Sequence, residues 1–204
     1  MLTLAIDTSS SYISVALLAE SDVVQYVHLE MQTGQSEALF PAIQKLFDGT
    51  RYTQKDLTQI AVAVGPGSYT GVRIGLSTAR GLSLALGIPV IGVTNFAAWS
   101  YGLMTPVRVT LDTRRGEYYT QSFDGDGNET SEPAIVSLAQ LEKMLPFTAV
   151  GDAARDVAEK IKCDSVEKVS PAAVSIGKYA VQYPQKGKSA EPLYLREADV
   201  TVCA

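Results

Sequence analysis

A predicted strand gives way to a predicted helix within the segment Val64-Gly65-Pro66-Gly67-Ser68-Tyr69-Thr70-Gly71-Val72-Arg73. The apolar run Gln59 to Val64 predicts a buried strand, and the pattern from about Thr70 to Leu86 predicts a helix that ends at Gly87. No Lys-Ser/Thr pair follows the last glycine, so the segment is not a Walker A motif. Such a loop either packs tightly through its glycines, which we favour, or holds an anion with backbone N–H groups.

The first half as a whole is predicted to run strand, strand, strand, helix, strand, helix, strand, helix. The fourth strand and the second helix of this order are the two that flank the glycine-rich loop. We expect Ser36 to cap the first helix and Asn95 to cap the short one, which should reach Met104. The additional strands are predicted at Leu2 to Asp7, Tyr12 to Ala19, Val23 to Leu29 and Pro89 to Val93.

The second half begins with the same order of elements, which indicates a duplicated α/β fold. Ile6-Asp7-Thr8 and Leu111-Asp112-Thr113 each end a buried strand and precede a turn and a second strand. We therefore predict two lobes, residues 1–104 and 105–204. In the second lobe we expect strands at Val107 to Asp112, Tyr118 to Phe123, near Thr130 to Val136 and at Thr148 to Val150, and helices from Ser137 to Leu145, from about Ala153 to Ile161 and from Ser170-Pro171 to near Tyr183.

Composition limits the classes of function. The chain has 204 residues, 46% of them hydrophobic and 19% charged, with a net charge of −5. These are globular values, and no basic stripe suited to gripping nucleic acid alone is visible. The N-terminus lacks the positive region of a signal peptide, and the most apolar stretch, Leu82 to Val93, is too short to span a bilayer. We expect a cytoplasmic protein, and if RNA is involved, a partner should do most of the holding.

The chain is poor in the residues that most hydrolases and metalloenzymes use. His28 is the single histidine, and the two cysteines, Cys163 and Cys203, have no metal-binding spacing. A two-histidine zinc motif is impossible, and no serine lies in a nucleophile-elbow motif. We predict no bound metal, no catalytic residue and no peptidase activity.

Two aspartates and the loops beside them are candidate nucleotide contacts. Asp7 and Asp112 each end a strand at the head of a lobe, where acids of two-lobed phosphotransferases face a nucleotide and a metal. The alternative, an aspartate that caps its own turn, is equally compatible with the sequence. The residues assigned to possible nucleotide binding are Asp7, Thr8, Ser9, Gly67 and Ser68.

The two long helices of the first half are candidates for binding a partner. The second carries a stripe of small residues, which usually permits close approach of another backbone, either internal or from another chain. Arg73 and Arg80 lie on one face, where they meet acidic groups or phosphate or simply solubilise the surface. The predicted partner-binding residues are Leu39, Phe40, Ile43 and Phe47 on the first helix and Gly71, Arg73, Gly75, Thr78, Ala79 and Leu82 on the second.

Five segments in order along the chain resemble the bacterial TsaB family, also called YeaZ. They are Leu4-Ala5-Ile6-Asp7-Thr8-Ser9, Gly65-Pro66-Gly67-Ser68-Tyr69-Thr70-Gly71-Val72-Arg73-Ile74-Gly75, Pro89-Val90-Ile91-Gly92-Val93, Asp112-Thr113-Arg114-Arg115-Gly116-Glu117-Tyr118-Tyr119 and Glu191-Pro192-Leu193-Tyr194-Leu195-Arg196. The glycine block is specific to this family and its near relatives. The chain departs from the family at Gln35-Ser36, where many members carry a histidine, and its second lobe is compact.

The resemblance implies a two-lobed actin/Hsp70/sugar-kinase (ASKHA) fold and a place in the formation of threonylcarbamoyladenosine at position 37 of tRNAs that read codons starting with A. It implies a non-catalytic scaffold that docks a TsaD-like catalytic subunit through its first lobe, with a TsaE-like ATPase as a third component. It also implies a homodimer when the chain is alone, and ADP or ATP at an interface of the complex. The competing hypothesis is a small ATP-binding phosphotransferase-like protein of the same fold.

Overall fold

The computed structural model describes residues 1–168 and 172–196, which form two five-stranded sheets with helices on both faces. The first half contains β1 (Leu2–Asp7), β2 (Tyr12–Ala19), β3 (Asp22–Glu30), α1 (Gln35–Lys45), β4 (Gln59–Ala63), α2 (Tyr69–Leu86), β5 (Val90–Val93) and α3 (Asn95–Ser100). The second contains β6 (Val107–Asp112), β7 (Tyr118–Phe123), β8 (Ala134–Val136), α4 (Leu138–Glu142), β9 (Thr148–Val150), α5 (Ala154–Ile161), β10 (Asp164–Val166) and α6 (Ala172–Gln182). No helix in these two ranges is long and apolar enough to cross a membrane.

The two sheets share one topology, which confirms the predicted duplication. Their strand orders are β3-β2-β1-β4-β5 and β8-β7-β6-β9-β10. In each sheet the first strand of the lobe is central, antiparallel to the second and parallel to the fourth. Asp7 and Asp112 therefore end corresponding strands. The strand β10 was not predicted from the sequence.

The lobes exchange helices, and this changes the predicted boundary. Phe96 of α3 is fully buried against the apolar side chains of β6, β7 and β9 in the second lobe. In the other direction, α6 packs on β1, β2 and β4 of the first lobe. Residues 172–182, which the sequence prediction assigned to the second lobe, thus cover the first sheet. The predicted helix start at Ser170-Pro171 and the cysteine at position 203 lie outside the described residues.

Small side chains make room for this exchanged helix. β1 is buried along its whole length: Leu4 and Ile6 face α1 and α2, whereas Ala5 faces α6. A Cβ atom added at Gly177 of α6 would lie 2.4 Å from a methyl group of Leu18 on β2. The alternation of large and small residues along the strands therefore lets α6 approach one face of the sheet closely.

The helix ends differ in part from prediction. Gly34, in the left-handed conformation at φ 82°, precedes α1 in place of Ser36. Thr94 caps α3, which ends at Ser100 and not at Met104. Two predicted caps are confirmed: Gly87 ends α2 at φ 67°, and Ser137 opens α4.

The glycines at the start of α2 are packed inside the lobe. A Cβ atom at Gly71 would lie 2.0 Å from the carbonyl oxygen of Thr8, and one at Gly75 would lie 2.8 Å from the Thr8 hydroxyl. Gly81, in the second half of α2, has open space around it. The small residues at the start of α2 therefore pack against the chain just after β1, within the same lobe.

A matched pair of substitutions within α2 tests this packing. Gly71→Ala should destabilise the fold by about 1–3 kcal/mol, because the Thr8 carbonyl is backbone and cannot yield. Gly81→Ala should stabilise it by about 0.5–1 kcal/mol, because alanine is the better helix former where no neighbour intervenes. Urea unfolding followed by circular dichroism measures both. Equal effects of the two substitutions would contradict the internal contact.

Candidate functional site

A cleft of about 330 Å³ opens between the lobes where β1 and β6 end. The loops after these two strands face each other across it, as do Pro66, Gly67 and Ser68 of the glycine-rich loop. This is the place where the sequence predicted a possible nucleotide.

On the first lobe, the candidate side chains are engaged in internal hydrogen bonds. The carboxylate of Asp7, fully buried, accepts from the backbone N–H of Ser9 and from the Tyr12 hydroxyl, both at 2.8 Å. Its pKa is raised by burial. The Thr8 hydroxyl donates to the Gly71 carbonyl at 2.6 Å, and the Ser9 hydroxyl accepts from the side-chain amide of Asn95 at 2.7 Å. Asp7 therefore caps its own turn, the second of the two alternatives that the sequence left open.

The glycine-rich loop closes onto the same turn. The N–H of Ser68 donates to the carbonyl of Ser9 at 2.7 Å, and a Cβ atom at Gly67 would lie 2.4 Å from that oxygen. The Ser68 hydroxyl accepts from the N–H of Gly71 at 3.2 Å as the cap of α2. Close packing, which the sequence favoured over an anion-binding loop, explains why positions 67 and 71 are occupied by glycine.

The second lobe contributes acidic groups to the cleft, one of which the sequence analysis missed. Asp152 accepts from the N–H of Asp112 at 2.9 Å. Burial, and secondarily the charge of Asp112, raises the pKa of Asp152 to about 6. The internal repeat was a signal that could have found it, since Gly151-Asp152 follows β9 as Gly65-Pro66 follows β4.

The side chain of Arg114 connects the two lobes across the cleft. The guanidinium of Arg114 donates to the Ser11 hydroxyl at 2.6 Å. Asp112 and Asp152 lie beside it and would repel phosphate groups. Within residues 1–168 and 172–196, no group of three or more histidine, cysteine or acidic side chains is placed to hold a metal ion.

The chain's C-terminal segment binds across both lobes. The N–H of Leu193 donates to the Val64 carbonyl at 2.7 Å, and Leu193 packs in the cores of both lobes. Tyr194 stacks on Tyr69 with ring centroids 5.1 Å apart, and its hydroxyl accepts from Arg73 at 2.8 Å. Arg80 donates to the Ala190 carbonyl. Both arginines, whose role the sequence left open, thus hold this segment.

Most of the predicted partner-binding residues are buried within the lobe. Those in the interior are Leu39, Ile43, Gly71, Gly75 and Ala79, while Phe47, Thr78 and Leu82 are half-buried. The five interior residues face the first sheet and the β1–β2 turn. Phe40 remains, with 51% of its surface exposed.

The opposite side of α2 carries a different set of small and apolar residues, which the sequence analysis passed over. Ser77, Gly81 and Ala85 recur every four residues and are exposed, and Leu84 between them is 88% exposed. Together with the exposed Phe40 of α1, these residues form a candidate surface for contact with another protein. We call Phe40, Ser77, Gly81, Leu84 and Ala85 the outer helix face.

Comparison with known proteins places the chain in a family. Residues 30–191 match the family model described as TsaD, tRNA N6-adenosine threonylcarbamoyltransferase. The tRNA threonylcarbamoyladenosine biosynthesis protein TsaB of Escherichia coli is 31% identical over 96% of this chain and 95% of its own length. The chain belongs to the TsaB (YeaZ) family. TsaB of Bacillus subtilis is 37% identical over 59% of this chain and 54% of its own length.

Solved structures agree with the fold of this TsaB-family chain. YeaZ from Pseudomonas aeruginosa matches with a TM-score of 0.79 at 24% identity, covering 95% of this chain and 99% of that one. Members of the actin/Hsp70/sugar-kinase fold group match at TM-scores of 0.54 to 0.57. The predicted ASKHA fold is confirmed, and the family is one of tRNA threonylcarbamoyladenosine biosynthesis.

Asp152 makes the stability of this TsaB-family chain depend on pH. Its pKa is higher in the folded chain than in the unfolded chain, so the folded chain binds more protons and loses stability as pH rises from about 4 to about 6. Asp152→Asn keeps an oxygen for the Asp112 N–H and removes the charge. Because Asp152 is partly exposed and solvent screens its charge, the variant's advantage in free energy of unfolding should be larger at pH 7 than at pH 4.5 by no more than about 1 kcal/mol. A constant difference across that range in urea titrations would contradict the assignment.

Proposed function

We propose that this chain is a non-catalytic cytoplasmic scaffold of the complex that forms threonylcarbamoyladenosine in tRNA, and that it docks a TsaD-like catalytic subunit on the outer helix face. The observation that carries the proposal is the exposure of Leu84 among small residues on α2. Small side chains let a partner helix approach closely, and a protruding leucine supplies an apolar anchor. The family's pathway supplies the identity of the partner.

The state of the cleft supports a scaffold over a phosphotransferase. Asp7 is enclosed, and both of its carboxylate oxygens accept hydrogen bonds from its own turn. Thr8, Ser9, Gly67 and Ser68 serve internal packing. We therefore place ADP or ATP, if the assembled complex contains it, at an interface with another subunit and not on these side chains.

We further propose that the isolated chain forms a homodimer through the same outer helix face, so that self-association and docking of the catalytic subunit exclude each other. α1 and α2 pack side by side on one face of the first sheet, which leaves a single two-helix surface directed outward. A TsaE-like ATPase would join the complex, and tRNA would be held mainly by the partners, as the net charge of −5 suggests.

The substitution Leu84→Asp tests the docking face. A charge at the centre of an apolar contact should lower the affinity for the catalytic subunit at least tenfold, and the homodimer should weaken in parallel. The side chain is exposed in the monomer, so folding should be unaffected. Surface plasmon resonance measures docking, light scattering measures the dimer, and a reconstituted assay measures tRNA modification.

Met104→Asp is the matched control, because Met104 is 84% exposed on the loop between α3 and β6, away from α2. It should leave all three measurements near those of the unmodified chain. Normal docking by Leu84→Asp would refute the proposed face. Loss of modification on replacing Asp112, with the complex intact, would refute the non-catalytic role.

A further inference from the structure

A second cavity, of about 340 Å³, lies on the other side of Asp7 from the cleft, between β3, α3 and α6. Its size falls in the range of small-molecule sites, and its walls are rich in aromatic side chains: Tyr12, Tyr26 and Trp99. The rings of Tyr12 and His28 are packed together, with centroids 4.9 Å apart. Nothing in the proposed scaffold role uses this cavity.

Two almost fully buried polar side chains line the cavity with hydrogen-bonding capacity to spare. Ser175 of α6 is 4% exposed, and its hydroxyl forms no hydrogen bond with any residue that the structure describes. Asn95 is 8% exposed; its NH₂ group donates to Ser9 and Pro66, while its amide oxygen has no donor among the described residues. Both residues are more than nine-tenths buried, yet neither oxygen is fully enclosed, so a ligand in the cavity can reach an open acceptor and an open hydroxyl.

Two charged side chains of opposite sign, Asp7 and Lys168, line the cavity, and both are hydrogen-bonded to neutral groups of the protein. The ammonium of Lys168 donates to the carbonyls of Ala98, Trp99 and Tyr101 at 2.5, 3.2 and 2.9 Å, which uses all three of its N–H bonds. Burial lowers the pKa of Lys168 to about 8. Both oxygens of Asp7 accept from the protein as well. The negative charge of Asp7 and the positive charge of Lys168 lie on the same cavity and offset each other, so the cavity suits a ligand without net charge.

We propose that this cavity binds a small, uncharged aromatic ring that carries an N–H donor, the chemistry of an aromatic amide or amine. The ring packs against the aromatic walls, its N–H donates to the amide oxygen of Asn95, and the Ser175 hydroxyl completes the polar contacts. Binding therefore uses both the planar ring and the N–H donor of the ligand, and removing either one should lower the affinity.

Three probe molecules separate these two requirements. Benzamide is planar and has the donor, toluene is planar without it, and cyclohexanecarboxamide has the donor on a saturated ring. Trp99 is the only tryptophan in the chain and lines the cavity, so its fluorescence reports binding. Benzamide should bind at least about fivefold more tightly than either comparator, the loss expected when one hydrogen bond or one aromatic contact is removed. Equal affinities, or no saturable change with benzamide, would overturn the proposal.

Because Trp99 also borders the interlobe cleft, variants must locate the binding. Ser175→Ala and Tyr26→Leu each alter only the second cavity, and each should weaken benzamide binding about fivefold. Ser175→Ala should leave the binding of toluene unchanged. Tyr26→Leu should leave the binding of cyclohexanecarboxamide unchanged. Ser10→Ala is the matched control, since Ser10 lines the cleft alone. Urea unfolding verifies that the variants remain folded. Weaker binding in Ser10→Ala with normal binding in Ser175→Ala would place the ligand in the cleft and overturn the assignment.

Discussion

The backbone of the turn after β1 lies directly against the backbone at the start of α2, and the rest of the first lobe depends on this contact. The carbonyls of Thr8 and Ser9 occupy the space where Cβ atoms of Gly71 and Gly67 would otherwise stand. The contact fixes α2 on the sheet and directs the Asp7 carboxylate into hydrogen bonds with its own turn. It also engages Thr8, Ser9 and Gly67 in internal contacts, whereas the outward side of α2 stays exposed.

The exchange of helices packs the two lobes against each other. Phe96 of α3 completes the core of the second lobe, α6 covers the first sheet, and Leu193 packs in both cores. Arg114 adds a hydrogen bond across the cleft. Packed cores resist continuous deformation, so a partner docked on one lobe meets a surface of fixed shape. That rigidity suits a protein that supplies binding energy and no reacting group.

The sequence predicts which segments form strands and helices far better than it predicts which of these elements pack together. Strand alternation, the glycine block and the repeated Asp-Thr pair predicted the two lobes and most elements. α2, however, has small residues on two sides, Gly71 and Gly75 inward and Ser77 and Gly81 outward. Periodicity defines both stripes and cannot say which one meets the sheet. The role of Asp152 and the return of α6 depend on contacts distant in sequence, which local patterns do not encode.

Hydroxyl-radical footprinting of the chain with and without its TsaD-like partner tests the central claim, that the outer helix face is the working surface, most directly. The account predicts that oxidation of Leu84 and Phe40, both exposed in the isolated chain, falls on complex formation, while that of Met104 stays constant. Protection of Tyr119 in the cleft, with Leu84 still freely oxidised, would contradict it.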